Sequence, residues 1–417
     1  MGSIAIEEVE TTLGRETPFT SQHYESFSPA EHSKLRHLVP VAEREDTTYL
    51  NASFQPPMNL RVRSALDKYL DQATTHAHPK PIWQQTTSES RSKLATYLNV
   101  PEHSLAFTRD TTEGLNLFQR SLKFTPGDNV VLLDVEHPNH VYGWLGLVDA
   151  GLEVRLVPTG TDTYADADTF QPLVDSRTIA IGLSSIMFHS GQMNNVGDIC
   201  SRFRPRGIHV LVDLTQHVGV APLDLTAWNV SAAAFGCHKG LGCPSGVGAL
   251  YISPDVLPLL RPTPPIVGAG AIANLRGDLI ANPDVQYHKT TQRYEHLNLS
   301  LIGVAALKAS LDFIVDDLGI DRLESHLRAS GRELALRCKA LGVEVVGSPY
   351  ADRRAPHLYV LKLLHPDWQS HLREDHIYVS HYRLGIRVSF AFYNNVDDVE
   401  KLVQSIERGL KKGIPRE

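Results

Sequence analysis

Cysteine is scarce in this chain. Four residues in 417, Cys200, Cys237, Cys243 and Cys338, are too few and too scattered for the disulfide scaffold of a secreted domain, so a reducing compartment is expected. Cys237 and Cys243 lack CxxC spacing and a second ligand pair, which argues against a zinc site, and no metal is expected. Long apolar runs are missing as well; none approaches the ~18 residues of a membrane span. The N-terminus, Met1-Gly-Ser-Ile-Ala-Ile-Glu-Glu, has neither the positive n-region nor the apolar h-region of a secretion signal. Ile6 stands where a myristoylation signal needs Ser or Thr. No basic cluster is long enough to track a phosphate backbone, and the net charge is −7 with a pI near 6.3, so nucleic acid is not the expected partner. Internal repeats and low-complexity tracts are absent too. These exclusions leave a soluble, cytoplasmic protein without membrane or nucleic-acid partners.

A hydrophobic content of 42% allows a substantial core, and the length suggests two or three structural units. Residues 1–45 are polar and irregular and read as an N-terminal arm. Over 46–284, short apolar runs (130–133, 152–157, 178–183, 208–212) alternate with helical patterns such as Thr112–Leu122. That alternation predicts an α/β unit with a large, mostly parallel sheet covered on both faces. Gly246–Ile252 follows Lys239 after a short turn, which predicts one antiparallel strand. Over 285–417 the pattern predicts a smaller C-terminal α+β domain. Its helices are expected at 301–315, 322–341 (ending at Gly342 as a C′ residue) and 396–410, its strands at 343–346, 357–364 and 385–392. The Pro-rich stretch 260–266 reads as a loop between the two.

Lys239 lies in the Gly-rich stretch Phe235-Gly-Cys-His-Lys-Gly-Leu-Gly242, and Asp213 ends the apolar run Ile208–Val212. Alone, the lysine reads as a solvated loop residue and the aspartate as an N-cap. Together they suit pyridoxal phosphate (PLP) chemistry. A lysine amine forms a Schiff base with the cofactor aldehyde, and a carboxylate keeps the pyridine nitrogen protonated so that the ring accepts electrons. Thr111-Thr-Glu-Gly-Leu-Asn116 opens a helix, where free N–H groups and the dipole attract an anion. Glu136-His-Pro-Asn139 follows the 130–133 strand, where open α/β sheets hold ligands and a flat imidazole could stack on a ring.

Taken in order, these segments with Tyr49-Leu-Asn-Ala52, Val212-Asp-Leu-Thr-Gln-His-Val-Gly219, His238-Lys-Gly240 and Ile386-Arg-Val-Ser389 followed by Phe392-Tyr-Asn-Asn395 resemble the class V aminotransferase family. That family comprises fold type I PLP-dependent enzymes such as cysteine desulfurases, kynureninases and isopenicillin N epimerases, and the resemblance runs from Tyr49 to Leu410. It implies a role for each matching residue. Lys239 would carry the cofactor and move protons at the substrate carbons, with His137 stacking on the ring and assisting. Asp213 would contact the pyridinium nitrogen, and Gln216 would donate to the ring phenolate oxygen. Thr111, Thr112 and His238 would hold the phosphate. Arg387 would bind the substrate α-carboxylate as a bidentate fork. The resemblance also implies a homodimer with shared active sites, Asn298 reaching the neighbouring subunit's phosphate.

Several departures bear on the reaction. The stretch 375–386 is short and lacks the persulfide-forming cysteine that desulfurases usually carry before the arginine. Gly236 replaces a serine that commonly binds phosphate, Asn298 replaces a threonine, and Phe188 occupies a place often held by a polar residue near the ring. The expected activity is therefore lyase chemistry on an α-amino acid, carbon–sulfur or another β/γ elimination, without a persulfide cysteine. The short loop before Arg387 resembles the isopenicillin N epimerase branch and the PLP enzyme of loline-type alkaloid pathways. Epimerisation, or a decarboxylating or cyclising step of specialised metabolism, thus stays open as the alternative.

Overall fold

The computed structural model describes residues 17–159 and 164–417, and the structural statements below concern those residues. The chain enters through α1 (Pro29–Arg36), where Ser28 Oγ accepts from Glu31 N–H at 3.3 Å and proline takes the first helical position. β1 (Thr48–Tyr49), α2 (Leu60–Thr75) and α3 (Lys80–Leu98) follow. Residues 17–45, expected as an arm, are built into the body. Phe19, Phe27, Leu35 and Val39 are buried in the main core, and Arg36 pairs with buried Asp398 at 2.9 Å. Their apolar residues are few and unevenly spaced, so no period announced this burial. Residues 1–16 of that expectation lie outside the described residues.

Strands and helices then alternate. β2 (Leu105–Thr108) leads to α4 (Thr111–Ser121), β3 (Asn129–Leu133) to α5 (Pro138–Leu145), and β4 (Glu153–Val157) to the single-turn α6 (Ala167–Phe170). β5 (Thr178–Ser184) leads to α7 (Val196–Phe203) and β6 (His209–Asp213) to the single-turn α8 (Leu225–Trp228), before β7 (Ala232–Gly236) and β8 (Gly248–Ile252). β2 to β8 form one seven-stranded sheet in the order β2-β8-β7-β6-β5-β3-β4. Pairs from β7 to β4 are parallel, whereas β8 runs antiparallel to both β7 and β2, as the short turn after Lys239 predicts. Alternate residues feed two cores. Val131, Leu133, Leu183 and Val212 enter one, and Val130, Leu132, Leu211 and Ala234 the other. A period of two with both faces apolar is what a sheet covered on each side requires.

α9 (Leu301–Leu311) packs on α2 and α3 and continues as a π-helical turn, Asp312–Leu318, that ends at Gly319 with φ 77°. The single helix expected over 301–315 thus changes its winding at Asp312. α10 (Ile320–Ala340) runs to Gly342, whose φ of 66° fits its expected C′ role. β9 (Leu358–Leu361), α11 (Asp367–Glu374), β10 (Ile377–Tyr378), β11 (Ser380–Tyr382), β12 (Gly385–Ser389) and α12 (Val396–Lys411) complete the chain. β11, β12 and β9 make an antiparallel sheet, and β10 pairs in parallel with β1. The strand expected at 343–346 does not form. Val345 makes only an isolated bridge to Leu361, because Gly347 turns the backbone away at φ 97°.

The register positions the site. Ser184 lies opposite Asp213 and Asp213 opposite Ala234, so the carboxyl ends of β5, β6 and β7 emerge together. In open α/β sheets ligands bind beyond such strand ends.

Candidate active site

β6, the central strand, carries Asp213 at its carboxyl end, 7% exposed, and the Asp213 Oδ1 accepts from Thr215 N–H at 2.8 Å. No described cation forms an ion pair with this carboxylate. Lys239 stands in the loop after β7, and its carbonyl accepts from Gly242 N–H at 2.7 Å. This loop lies backbone-to-backbone against the one following Asp213. A Cβ on Gly219 (φ 78°) would sit 2.6 Å from the Gly240 carbonyl carbon, and one on Gly240 would sit 2.2 Å from Val218 O. Glycine at both positions is what allows the aspartate and lysine loops to approach.

Thr111, His137, Asp213, Gln216, His238 and Lys239 line one cavity. Thr111 comes from the first turn of α4, where Asp110 caps the helix by accepting from Glu113 N–H at 2.8 Å; its hydroxyl bonds that of Thr215 at 2.7 Å. Two hydroxyls at an open helix N-terminus suit a phosphate. His137 is the N-cap of α5; its Nδ1 accepts from Asn139 N–H at 3.2 Å, and burial lowers its pKa. That bond assigns the ring proton to Nε2. Gln216 Nε2 donates to Ser53 O at 3.1 Å while Oε1 is buried without a partner.

Burial pulls the Lys239 amine down to about 8; the charge of Asp213 opposes that shift and the charge of Arg387 adds to it. The free amine that attack on an aldehyde requires is therefore a minor but far larger fraction near neutral pH than at the ordinary lysine value of 10.5. Burial also lowers His238, with Lys239 adding to the effect. Glu136, fully enclosed, is raised to about 7 by burial against the bonds it accepts from Ser184 N–H (2.7 Å) and Ser184 Oγ (2.6 Å). A second, mostly apolar cavity lies behind Lys239 and Gln216, lined by Val220, Leu323, Leu327 and Phe390 among others.

Arg387, on β12, is 1% exposed. Its Nη1 donates to Phe188 O at 2.8 Å and its guanidinium stacks 4.6 Å from the Tyr382 ring centroid, while Nε and Nη2 have no partner. Phe188, which lines the first cavity, packs edge-on against both His137 and Tyr382.

Two residues named from the sequence lie apart from this group. Thr112 lines a separate surface hollow with Arg109, Asn116 and Pro265, because adjacent helical residues point about 100° apart. Asn298 is exposed and approaches neither cavity within its own chain. Asn139, Ser184, Ile186 and Thr215 line the cavity without having been singled out. The alignment of β5 with β6 marks Ser184 and Ile186 only once the sheet is assembled.

The residues present fit PLP. The unpaired buried carboxylate suits a pyridinium N–H, the α4 terminus a phosphate, and the low-pKa lysine the aldehyde.

A family model described as aminotransferase class-V matches residues 60–402. The chain is 52% identical over 383 residues to an uncharacterized aminotransferase of Schizosaccharomyces pombe, covering 91% of this chain and 96% of that one. Among solved structures, the apo form of a cysteine desulfurase from Thermococcus onnurineus NA1 matches with a TM-score of 0.82 at 20% identity, over 93% of this chain and 100% of that one. A cystine C–S lyase in complex with its product cysteine persulfide matches with a TM-score of 0.77 at 22% identity, over 86% and 97%. These likenesses show that the architecture is fold type I. No described helix is long and apolar enough to cross a membrane.

Proposed function

Because the chain belongs to the class V aminotransferase family, whose cofactor is pyridoxal phosphate, we propose that it is a lyase that eliminates a β- or γ-substituent from an α-amino acid without a persulfide cysteine. The observation that carries this reading is that Lys239 shares the cavity with Asp213, its amine lowered by burial and by the charge of Arg387, with no thiol among the residues lining it. When bound, the cofactor supplies an electron sink conjugated to the substrate α-carbon. Asp213 holds the ring nitrogen's proton, Thr111, Thr215 and His238 hold the phosphate, and the second N–H of Gln216 Nε2 is available to the phenolate oxygen. Arg387 takes the α-carboxylate on Nε and Nη2. Lys239 Nζ removes the α-proton and returns one after the leaving group has departed with its bonding pair. His137 caps the ring face and assists proton transfer.

Burial supports the missing thiol relay. All four cysteines are buried, and burial pushes Cys200, Cys237 and Cys338 up to about 12 and Cys243 well above its ordinary value, so none is a ready nucleophile. A homodimer in which Asn298 reaches the partner's cofactor is part of the proposal, and a sedimentation mass of one chain would remove it.

The test is a panel of L-amino acids carrying β- or γ-leaving groups, with products identified by mass. Ammonia, a keto acid and the released substituent are expected, and Lys239→Ala should abolish them. Inverted stereochemistry or carbon dioxide as the sole product would reject elimination.

A further inference from the structure

The cavity behind Lys239 combines apolar walls with polar atoms that the elimination reading leaves unused. Val220, Ile314 and Phe390 are among its apolar lining, and Ser53, Gln216 and His357 line it as well. Ser53 Oγ, Gln216 Oε1 and His357 Nδ1 are buried without a partner among the described residues, on side chains belonging to residues no more than 5% exposed. A chain of hydrogen bonds brings the three residues to the end of β12. Gln216 Nε2 donates to Ser53 O at 3.1 Å, and Ser53 N–H donates to Ser389 Oγ at 2.8 Å. Phe390, the residue after Ser389, donates its N–H to His357 O at 2.8 Å. Burial lowers His357 to about 3, with the charges of His217, Arg387 and Lys239 adding to the effect, so the ring is neutral and offers one donor and one acceptor.

Buried polar atoms without partners are costly, and a small neutral molecule that both donates and accepts would satisfy all three. The cavity volume is about 30 Å³. Roughly 10–15 Å³ admits one water, so about two fit. Gln216 also lines the first cavity, so its amide stands between the two. Ser53 O can only accept, which assigns Nε2 to that bond and leaves Oε1 to accept from elsewhere. We propose that the cavity behind Lys239 is a hydration site in which ordered water bridges His357, Ser53 Oγ and Gln216 Oε1. Through that water His357 is a positioning residue, holding the Gln216 amide so that its second N–H faces the cofactor's cavity. The positioning role rests on the proposed function, because it needs the cofactor; the hydration does not.

The experiment starts with crystals of the cofactor-free protein that diffract well enough to show ordered water, one of them pressurised with xenon. Water within hydrogen-bond distance of His357, Ser53 Oγ and Gln216 Oε1 is expected, and no xenon. A dry cavity, or one that takes up xenon as an apolar void does, would overturn the proposal. His357→Phe then keeps the ring's bulk and removes both nitrogens, whereas His357→Asn keeps a polar atom near the Nδ1 position. In cofactor-loaded protein His357→Phe should weaken cofactor binding about tenfold and shift the visible absorbance maximum, and His357→Asn should restore both. An affinity and a maximum that do not change in His357→Phe, or that His357→Asn fails to restore, would overturn the positioning role. An unaltered protein that takes up no cofactor sinks the functional reading itself, and the crystals still decide the hydration site.

Discussion

The Lys239 amine carries the chemistry, and its environment sets the pH at which it works. Burial and the Arg387 charge favour the neutral amine, so uptake of cofactor by the apoprotein should accelerate as pH rises through about 8. Arg387→Gln removes one of the influences that lower this pKa, so the midpoint should move upward. Stopped-flow absorbance across pH measures both, and a midpoint near the ordinary 10.5 in the unaltered protein would contradict the assignment. At this scale Lys239, His238, Asp213 and Gln216 were legible because they sit in two contiguous motifs. Ser184 and Asn139 were not, since a serine ending a strand or an asparagine in a first helical turn carries no signal until neighbouring strands align.

The strands explain how distant residues converge. The apolar runs at 130–133, 178–183 and 208–212 were readable because both sheet faces are buried, and each run became a strand within a residue or two. The 343–346 strand was over-read, since an apolar run does not show that Gly347 bends the chain after one bridged residue. The contact between the Gly219 and Gly240 loops is the element-level feature most exposed to a single change. Gly219→Ala places a Cβ in a left-handed backbone and against Gly240, at a cost of roughly 1–3 kcal/mol. Thermal unfolding should show the loss, and cofactor affinity should fall with it because the displaced loop carries Lys239. An unchanged affinity would mean that the two loops are not coupled.

At the scale of the whole molecule, the lead-in that the sequence presented as an arm ties the start of the chain to its end. Arg36 bonds Asp398 through both terminal nitrogens, and Asp398, 1% exposed, also accepts from Asn394 Nδ2 at 3.0 Å. Arg36→Ala leaves that carboxylate without its cation, which should cost about 3 kcal/mol and lower Tm, while an unchanged Tm would show that the contact is dispensable. The strands and loops so braced hold a site whose account depends on a covalent link between the protein and its cofactor. Borohydride reduction of the cofactor-loaded protein, followed by peptide mass analysis, tests that link most directly. A reduced pyridoxyl adduct on the peptide containing Lys239, and on no other, is the expected result. An unmodified Lys239, or an adduct on a different lysine, would contradict it.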